Sequence, residues 1–153
     1  DNMSGLIWFL HRVYPELDTD FKLKIIGNGL SGCGEIQTLM QDCSNIEYLG
    51  FVQNPYPLIS AAKALIAPLF TGAGVKVKVI ESFGCGTPVI GTDITFEGVP
   101  DKYSYFMKIA RTNDDFINLI NGFKINISEK LEFKKNFIMT YNNKRITGYI
   151  NSI

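Results

Sequence analysis

The sequence predicts an α/β fold, a mostly parallel sheet with helices on both faces, formed by residues 1–153 as a single domain. Three observations carry this expectation. Short apolar runs ("FKLKIIG", "IEYLGF", "ALIAPL", "PVIGT", "YFMKI") alternate with segments of helical periodicity. Two of them, "ALIAPL" and "PVIGT", are apolar without interruption, as strands are when a parallel sheet is covered on both sides. Finally, 153 residues with 46% hydrophobic and 20% charged side chains suit one globular domain with a real core.

Taken in order, "SGLIWFLHRVYPEL" places Leu6, Leu10, Val13 and Leu17 on one helical stripe, with Ser4 as candidate cap. Pro15 disfavours helical geometry at the residue before it, so this helix should end near Tyr14. "FKLKIIG" reads as a strand stopping at Gly27, and "NGLSG" as a turn into a short helix over residues 35–41. After the strand "IEYLGF", Pro55 or Pro57 suits the first turn of a helix through "NPYPLISAA".

The segment "GVKVKVIESFG" fits two periods. Val75, Val77 and Val79 alternate with lysines as in a strand, whereas Val79, Ile80 and Phe83 share a helical face. A parallel sheet decides between them: the chain must cross back between "ALIAPL" and "PVIGT", and this segment has the length of a crossover helix. "NDDFINLINGF" follows as a helix burying Phe116, Leu119, Ile120 and Phe123, with "NDD" as its cap. A last helix runs from Ser128 through Tyr141, with Leu131, Phe137, Ile138 and Tyr141 on one side and Lys130, Lys134 and Lys135 on a wet face. "NNKRITGYINSI", residues 142–153, receives no firm assignment.

Composition excludes several classes. Fifteen basic residues balance fifteen acidic ones, so no overall field draws the chain to nucleic acid or anionic lipid. Cys33, Cys43 and Cys85 are odd in number and lack a C-x-x-C spacing, which argues against a disulfide framework or zinc site and for a reducing compartment. No apolar run reaches the roughly 20 residues that span a bilayer, and no leader is visible. His11 and Trp8 read as surface or packing residues, and Cys85, between Gly84 and Gly86, as a small side chain where little space is left.

Chemistry concentrates at glycine turns. In "FTGAG" a strand ends and a helix begins, so free backbone N–H groups and the helix dipole favour an anion, usually phosphate. Gly72 and Gly74 allow close approach to the backbone. "IIGNG" adds a second glycine turn at Gly27, and two such loops at one sheet edge suggest a nucleotide crevice. Neither matches G-x-G-x-x-G, so a dinucleotide cofactor is not expected.

The order "KLKIIGNG", "IEYLGFV", "ALIAPLFTGAGVKVKVIESFGCGTPVIGTDITFEGV" resembles the carboxyl-terminal domain of GT-B fold glycosyltransferases of the "glycosyl transferases group 1" type, from Asn2 to Val99 and more loosely beyond Asn113. The resemblance implies a Rossmann-like domain holding the nucleotide end of a UDP- or GDP-linked sugar, while a second, amino-terminal domain receives the acceptor. Glu81 matches the second glutamate of the family's E-x7-E pattern, whose carboxylate takes the ribose hydroxyls; an ionised carboxylate is acceptor-only and suits a vicinal diol. The first glutamate's position is Ala73, a departure that fits the G-x-G-x-x-x-K-x-x-E subgroup through Gly72, Gly74, Lys78 and Glu81. By the same matching, the backbone at Gly74, Val75, Lys76 and Val77 approaches the diphosphate, and Val52 and Asn54 flank the base. Lys78 either approaches a phosphate or is a solvated or ion-paired lysine. Glu97 in "FEGV" resembles the family's later E-G turn, or is simply a solvated loop acid.

The resemblance further implies that the chain starts after the first strand of the usual order 3-2-1-4-5-6. That leaves a gap between two half-sheets, to be closed by rearrangement or by pairing with another chain. The expected activity is glycosyl transfer with retention by a hexosyltransferase, with no cofactor beyond the donor substrate and no metal, since no D-x-D pair is present. The expected location is cytoplasmic, at the inner face of a membrane when intact, and this piece alone should not turn over. No catalytic base is assigned. Two alternatives stay open: a non-catalytic nucleotide-binding or interaction module, and an epimerase acting on UDP-sugars in a similar crevice.

Overall fold

A computed structural model of the chain describes residues 2–18, 20–41 and 43–141; the segment 142–153 lies outside them. Among the described residues run five short strands, β1 (Leu23–Ile26), β2 (Ile46–Gly50), β3 (Leu65–Ala67), β4 (Val89–Gly91) and β5 (Met107–Ile109), with 3-10 turns between β4 and β5, an α-helix between every other consecutive pair, and six α-helices in all. These are α1 (Asn2–Arg12), α2 (Gly34–Gln41), α3 (Tyr56–Ala61), α4 (Val77–Gly84), α5 (Asn113–Asn121) and α6 (Ile127–Thr140). Every strand pair is parallel.

The strands form two sheets, β1-β2 and β3-β4-β5, with no ladder between β1 and β3. The division falls where the sequence anticipates a gap. Helices cover both faces of the three-stranded sheet, and alternation along β4 reveals it. Val89 belongs to a core shared with Val79, Phe83, Phe106 and Phe137, while its neighbour Ile90 belongs to another with Phe9, Leu10, Ile25, Ile36 and Phe116. The second core joins Ile25 of β1 to Ile66 and Ile90, so apolar packing links the two sheets where hydrogen bonds do not. The β1-β2 pair is simpler. Leu23, Ile25, Ile46 and Tyr48 pack inward, and Lys24 pairs with Glu47 at 3.6 Å on a wet face.

Four expectations change. Helix α1 begins at Asn2, so Ser4 lies inside the helix and does not cap it. Its buried residues are Gly5, Phe9 and Leu10, continued by Val13 just past its end, with Leu6 and Leu17 only partly covered. On α6 the inward residues are Phe133, Phe137, Ile138 and Tyr141, whereas Leu131 is 61% exposed. The aromatic cluster around Phe83 sets this rotation, with Phe133 and Phe137 at 5.4 and 5.6 Å, and burying one such ring contributes about 1.5–3 kcal/mol. The same rotation turns Lys130 off the wet face: its ammonium donates to the carbonyls of Ser60 (2.5 Å) and Ala62 (2.7 Å), and burial lowers its pKa.

Other expectations hold. α1 gives way to a 3-10 turn, Tyr14–Glu16, around Pro15. On α5, Asp115 of "NDD" joins Thr112 in a reciprocal capping box. Cys85 is buried and packed beside Gly86, whose added Cβ would lie 2.4 Å from the Lys130 carbonyl oxygen. Burial pushes its thiol pKa up, away from a nucleophile's range.

Candidate functional site

The residues after Gly72 form a glycine loop that leads into the helix α4, Val77–Gly84, as the crossover requires. Gly72 and Gly74 have φ of 115° and 72°, conformations that a side chain would strain. Gly72, Ala73, Gly74 and Val75 are all exposed. Helix α4 starts only at Val77, so Val77 points outward at 56% exposure while Val79, Ile80 and Phe83 form the buried face. Lys76 is the N-cap residue but makes no side-chain cap bond. The first amides of α4 are therefore not met by their own N-cap side chain.

Lys76 instead folds back beneath the loop, its side chain only 12% exposed. Its ammonium donates to the Gly74 carbonyl at 2.5 Å and reaches the Gly72 carbonyl at 3.5 Å. Glu97 completes the knot: its carboxylate accepts the Gly74 N–H at 2.8 Å and lies 3.4 Å from the Lys76 ammonium. Gly98, at φ 75°, packs so closely that an added Cβ would sit 2.8 Å from Val75 Cγ2. Glu97 is thus a structural partner of the glycine loop and not a merely solvated acid. The turn bearing it is held in turn by Thr95, whose hydroxyl donates to the Ala67 carbonyl at 2.6 Å, and by Thr92, whose hydroxyl donates to the Leu69 carbonyl.

Lys78 and Glu81, one turn apart, are both half-buried. The Lys78 ammonium donates to the side-chain oxygen of Asn2 at 2.6 Å, and burial lowers its pKa. This bond ties α4 to the start of α1. Glu81 accepts the Tyr56 hydroxyl at 3.2 Å. Asn54 accepts the Tyr56 N–H at 3.2 Å, so this exposed residue starts α3. Val52 is half-buried in the same connection, beside Phe51 at 72% exposure. Gly27, at φ 141°, donates its N–H to the Gly50 carbonyl at 2.9 Å and accepts the Tyr48 hydroxyl at 2.9 Å, which ties the first glycine turn to the end of β2.

The sequence-derived residues therefore fall into linked groups: the 72–76 loop with Glu97, the Lys78–Glu81 turn with Tyr56 and Asn54, and the Gly27–Gly50 junction. Sequence reasoning missed Tyr56, because no local pattern pairs a tyrosine with a glutamate 25 positions on. It left Glu97 undecided for the same reason. His11 lies 3.0 Å from Glu35 at the surface, and Trp8 meets Phe70 and Phe116 edge-on at 4.9 and 5.4 Å. Among the described residues no cluster of three His, Cys, Asp or Glu gathers as a metal site, and no helix is long and apolar enough to cross a membrane.

Parallel strands ending in glycine loops, with helices on both faces, define a Rossmann-like domain of the GT-B kind. Its relatives agree. The family model "Glycosyl transferases group 1" matches residues 1–141, and the chain belongs to that family. An "Uncharacterized 44.6 kDa protein in cps region" of Klebsiella pneumoniae is 27% identical over 162 residues, covering 98% of this chain and 42% of that protein. Among solved structures, WaaG, "a glycosyltransferase involved in lipopolysaccharide biosynthesis", superposes with a TM-score of 0.62 at 14% identity, covering 99% of this chain and 39% of its own. AviGT4, "a glycosyltransferase involved in Avilamycin A biosynthesis", gives 0.52 at 16% identity, covering 97% and 45%. The chain thus spans less than half the length of each of these proteins.

Proposed function

We propose that this chain is the donor-binding domain of a glycosyltransferase and holds the nucleotide end of a UDP- or GDP-linked hexose. In this reading Glu81 accepts the ribose hydroxyls, and the first amides of α4 with the Gly74–Val77 backbone face the diphosphate, the Gly74 N–H itself being held by Glu97. Val52 and Asn54 border the base. Asn54 does so by its backbone and position, since its side-chain oxygen is already engaged with Tyr56.

The observation that carries the reading is the pairing of an exposed, positive-φ glycine loop at the mouth of α4 with a half-buried carboxylate one turn further in, already holding one hydroxyl donor. A site that accepts the Tyr56 hydroxyl is chemically fit to accept a sugar hydroxyl. Charge develops on the leaving diphosphate during transfer, so catalysis would rest on positioning the donor and stabilising that group. The intact protein would supply the acceptor through a further domain and transfer with retention; the piece described here would bind donor without turnover. The edges of β1 and β3 that pair with no strand among the described residues are its candidate surfaces for a further strand or for self-association.

Isothermal titration with UDP, GDP and ADP, on the wild type and Glu81→Ala, tests this. One nucleotide should bind, more weakly to the variant. Equal binding to both proteins removes Glu81 from the site, and no binding leaves an interaction module.

A further inference from the structure

Helix α3 is only six residues long, yet it is fastened at both ends. At its start, Asn54 accepts the Tyr56 N–H, and Pro55 and Pro57 restrict the backbone on either side of Tyr56. At its far end, the Thr87 hydroxyl donates to the Ile59 carbonyl at 2.8 Å, and the Lys130 ammonium bridges the Ser60 and Ala62 carbonyls. These partners come from the α4–β4 turn and from α6, the elements that flank the helix bearing Glu81. Toward α4 the strut presents the Tyr56 hydroxyl, which meets Glu81 Oε1.

A glutamate side chain on a helix samples several rotamers, and each must be given up when its carboxylate grips a ligand. Fixing one oxygen beforehand leaves the second, with its lone pairs, for a pair of adjacent hydroxyls. We infer that Tyr56 is a positioning residue: its hydroxyl pre-sets the Glu81 carboxylate for a vicinal diol, and so makes the site selective for a ribose bearing both hydroxyls. This rests on the donor-binding reading above. Tyr56 acts through Glu81 and not on the reacting atoms.

The test uses Tyr56→Phe, which removes one oxygen and keeps the ring, with Glu81→Ala and the double variant. Each is titrated with UDP and GDP and with their 2′,3′-dideoxy forms, and thermal melting verifies that the variants fold. At 3.2 Å the bond is long for a hydroxyl on a carboxylate. Its loss should therefore weaken ribonucleotide binding by about 2- to 5-fold, the lower part of the range for one hydrogen bond. The dideoxy forms should bind Tyr56→Phe and wild type alike, and the Tyr56→Phe effect should vanish in the Glu81→Ala background. An equal loss for ribo and dideoxy ligands would make Tyr56 a packing residue and overturn the inference. Ribose discrimination that depends on Glu81 but not on Tyr56 would overturn it while leaving the donor-binding reading intact. If neither nucleotide binds, or Glu81→Ala leaves discrimination unchanged, that reading fails and this inference with it.

Discussion

Replacing Gly5 with alanine sets two effects of opposite sign against each other. Gly5 lies inside α1, where alanine is preferred by up to about 1 kcal/mol. But α1 crosses the end of β3 so closely that a Cβ at position 5 would stand 2.1 Å from the Pro68 carbonyl oxygen and 3.1 Å from its carbon. Ordinary contact begins at 3.4 Å, so helix and loop must separate by about 1.3 Å. The obstacle is backbone, which has no rotamer to yield. Separation would loosen Phe9, Leu10 and Val13 in the core that links the two sheets. Overpacking of this kind costs typically 1–3 kcal/mol, and with a rigid neighbour the upper half applies. The net expectation is a loss of about 1–2 kcal/mol, a fall in Tm of roughly 2–8 °C for a chain of this size. Gly34 is the control: it opens α2 and its Cβ would meet nothing within 4 Å, so Gly34→Ala should be neutral or stabilise by a few tenths of a kcal/mol. Thermal melts by circular dichroism decide the matter. A Gly5→Ala protein as stable as wild type, or more so, would refute the close packing of α1 on Pro68.

Two further predictions concern single carboxylates. Glu97→Ala should speed exchange of the Gly74 amide hydrogen on the order of 5-fold, a charge-assisted bond discounted for the 52% exposure of the Glu97 side chain. Glu97→Gln, which keeps an acceptor, should retain part of the protection; identical exchange in all three proteins would mean that the knot does not hold the loop. Asp115 accepts the N–H groups of Arg111 and Thr112, and these bonds hold its pKa below the ordinary carboxylate value. A depressed folded-state pKa contributes stability above the unfolded value, near 3.9, that is lost as pH falls through the folded one. Asp115→Ala should therefore lower Tm at pH 7, and the gap to wild type should close below about pH 4. A gap that stays constant across that range would show that the carboxylate charge plays no part.

What could be read from the chain follows the range over which each signal acts. Apolar periodicity is local, and "ALIAPL", "PVIGT" and "NDDFINLINGF" become β3, β4 and α5 because their own spacing leaves few alternatives. The ambiguous "GVKVKVIESFG" was resolved by connectivity, since a parallel crossover requires a helix there. Signals weaken where one helix face must choose between neighbours. Leu131 and Phe133 are both apolar, and only the ring cluster at Phe83 and Phe106 determines that α6 turns Phe133 inward.

The residues around Glu81 divide the same way. Glycine at 72 and 74 and a glutamate at 81 are properties of a ten-residue stretch, and the helix between them follows from the order of the flanking strands, so the sequence by itself determined them. Which groups those residues touch depends on elements far apart in the chain. Glu97 on the Gly74 amide, Tyr56 on Glu81, Asn2 on Lys78 and Lys130 on the end of α3 are contacts across 21 to 76 residues, counting the Lys76 pairing with Glu97 as the shortest. Only the tertiary structure decided them. Hydrogen bonds act over about 3 Å and leave no periodic trace in the sequence, whereas the apolar pattern that builds the scaffold repeats at every turn of helix and every second residue of strand.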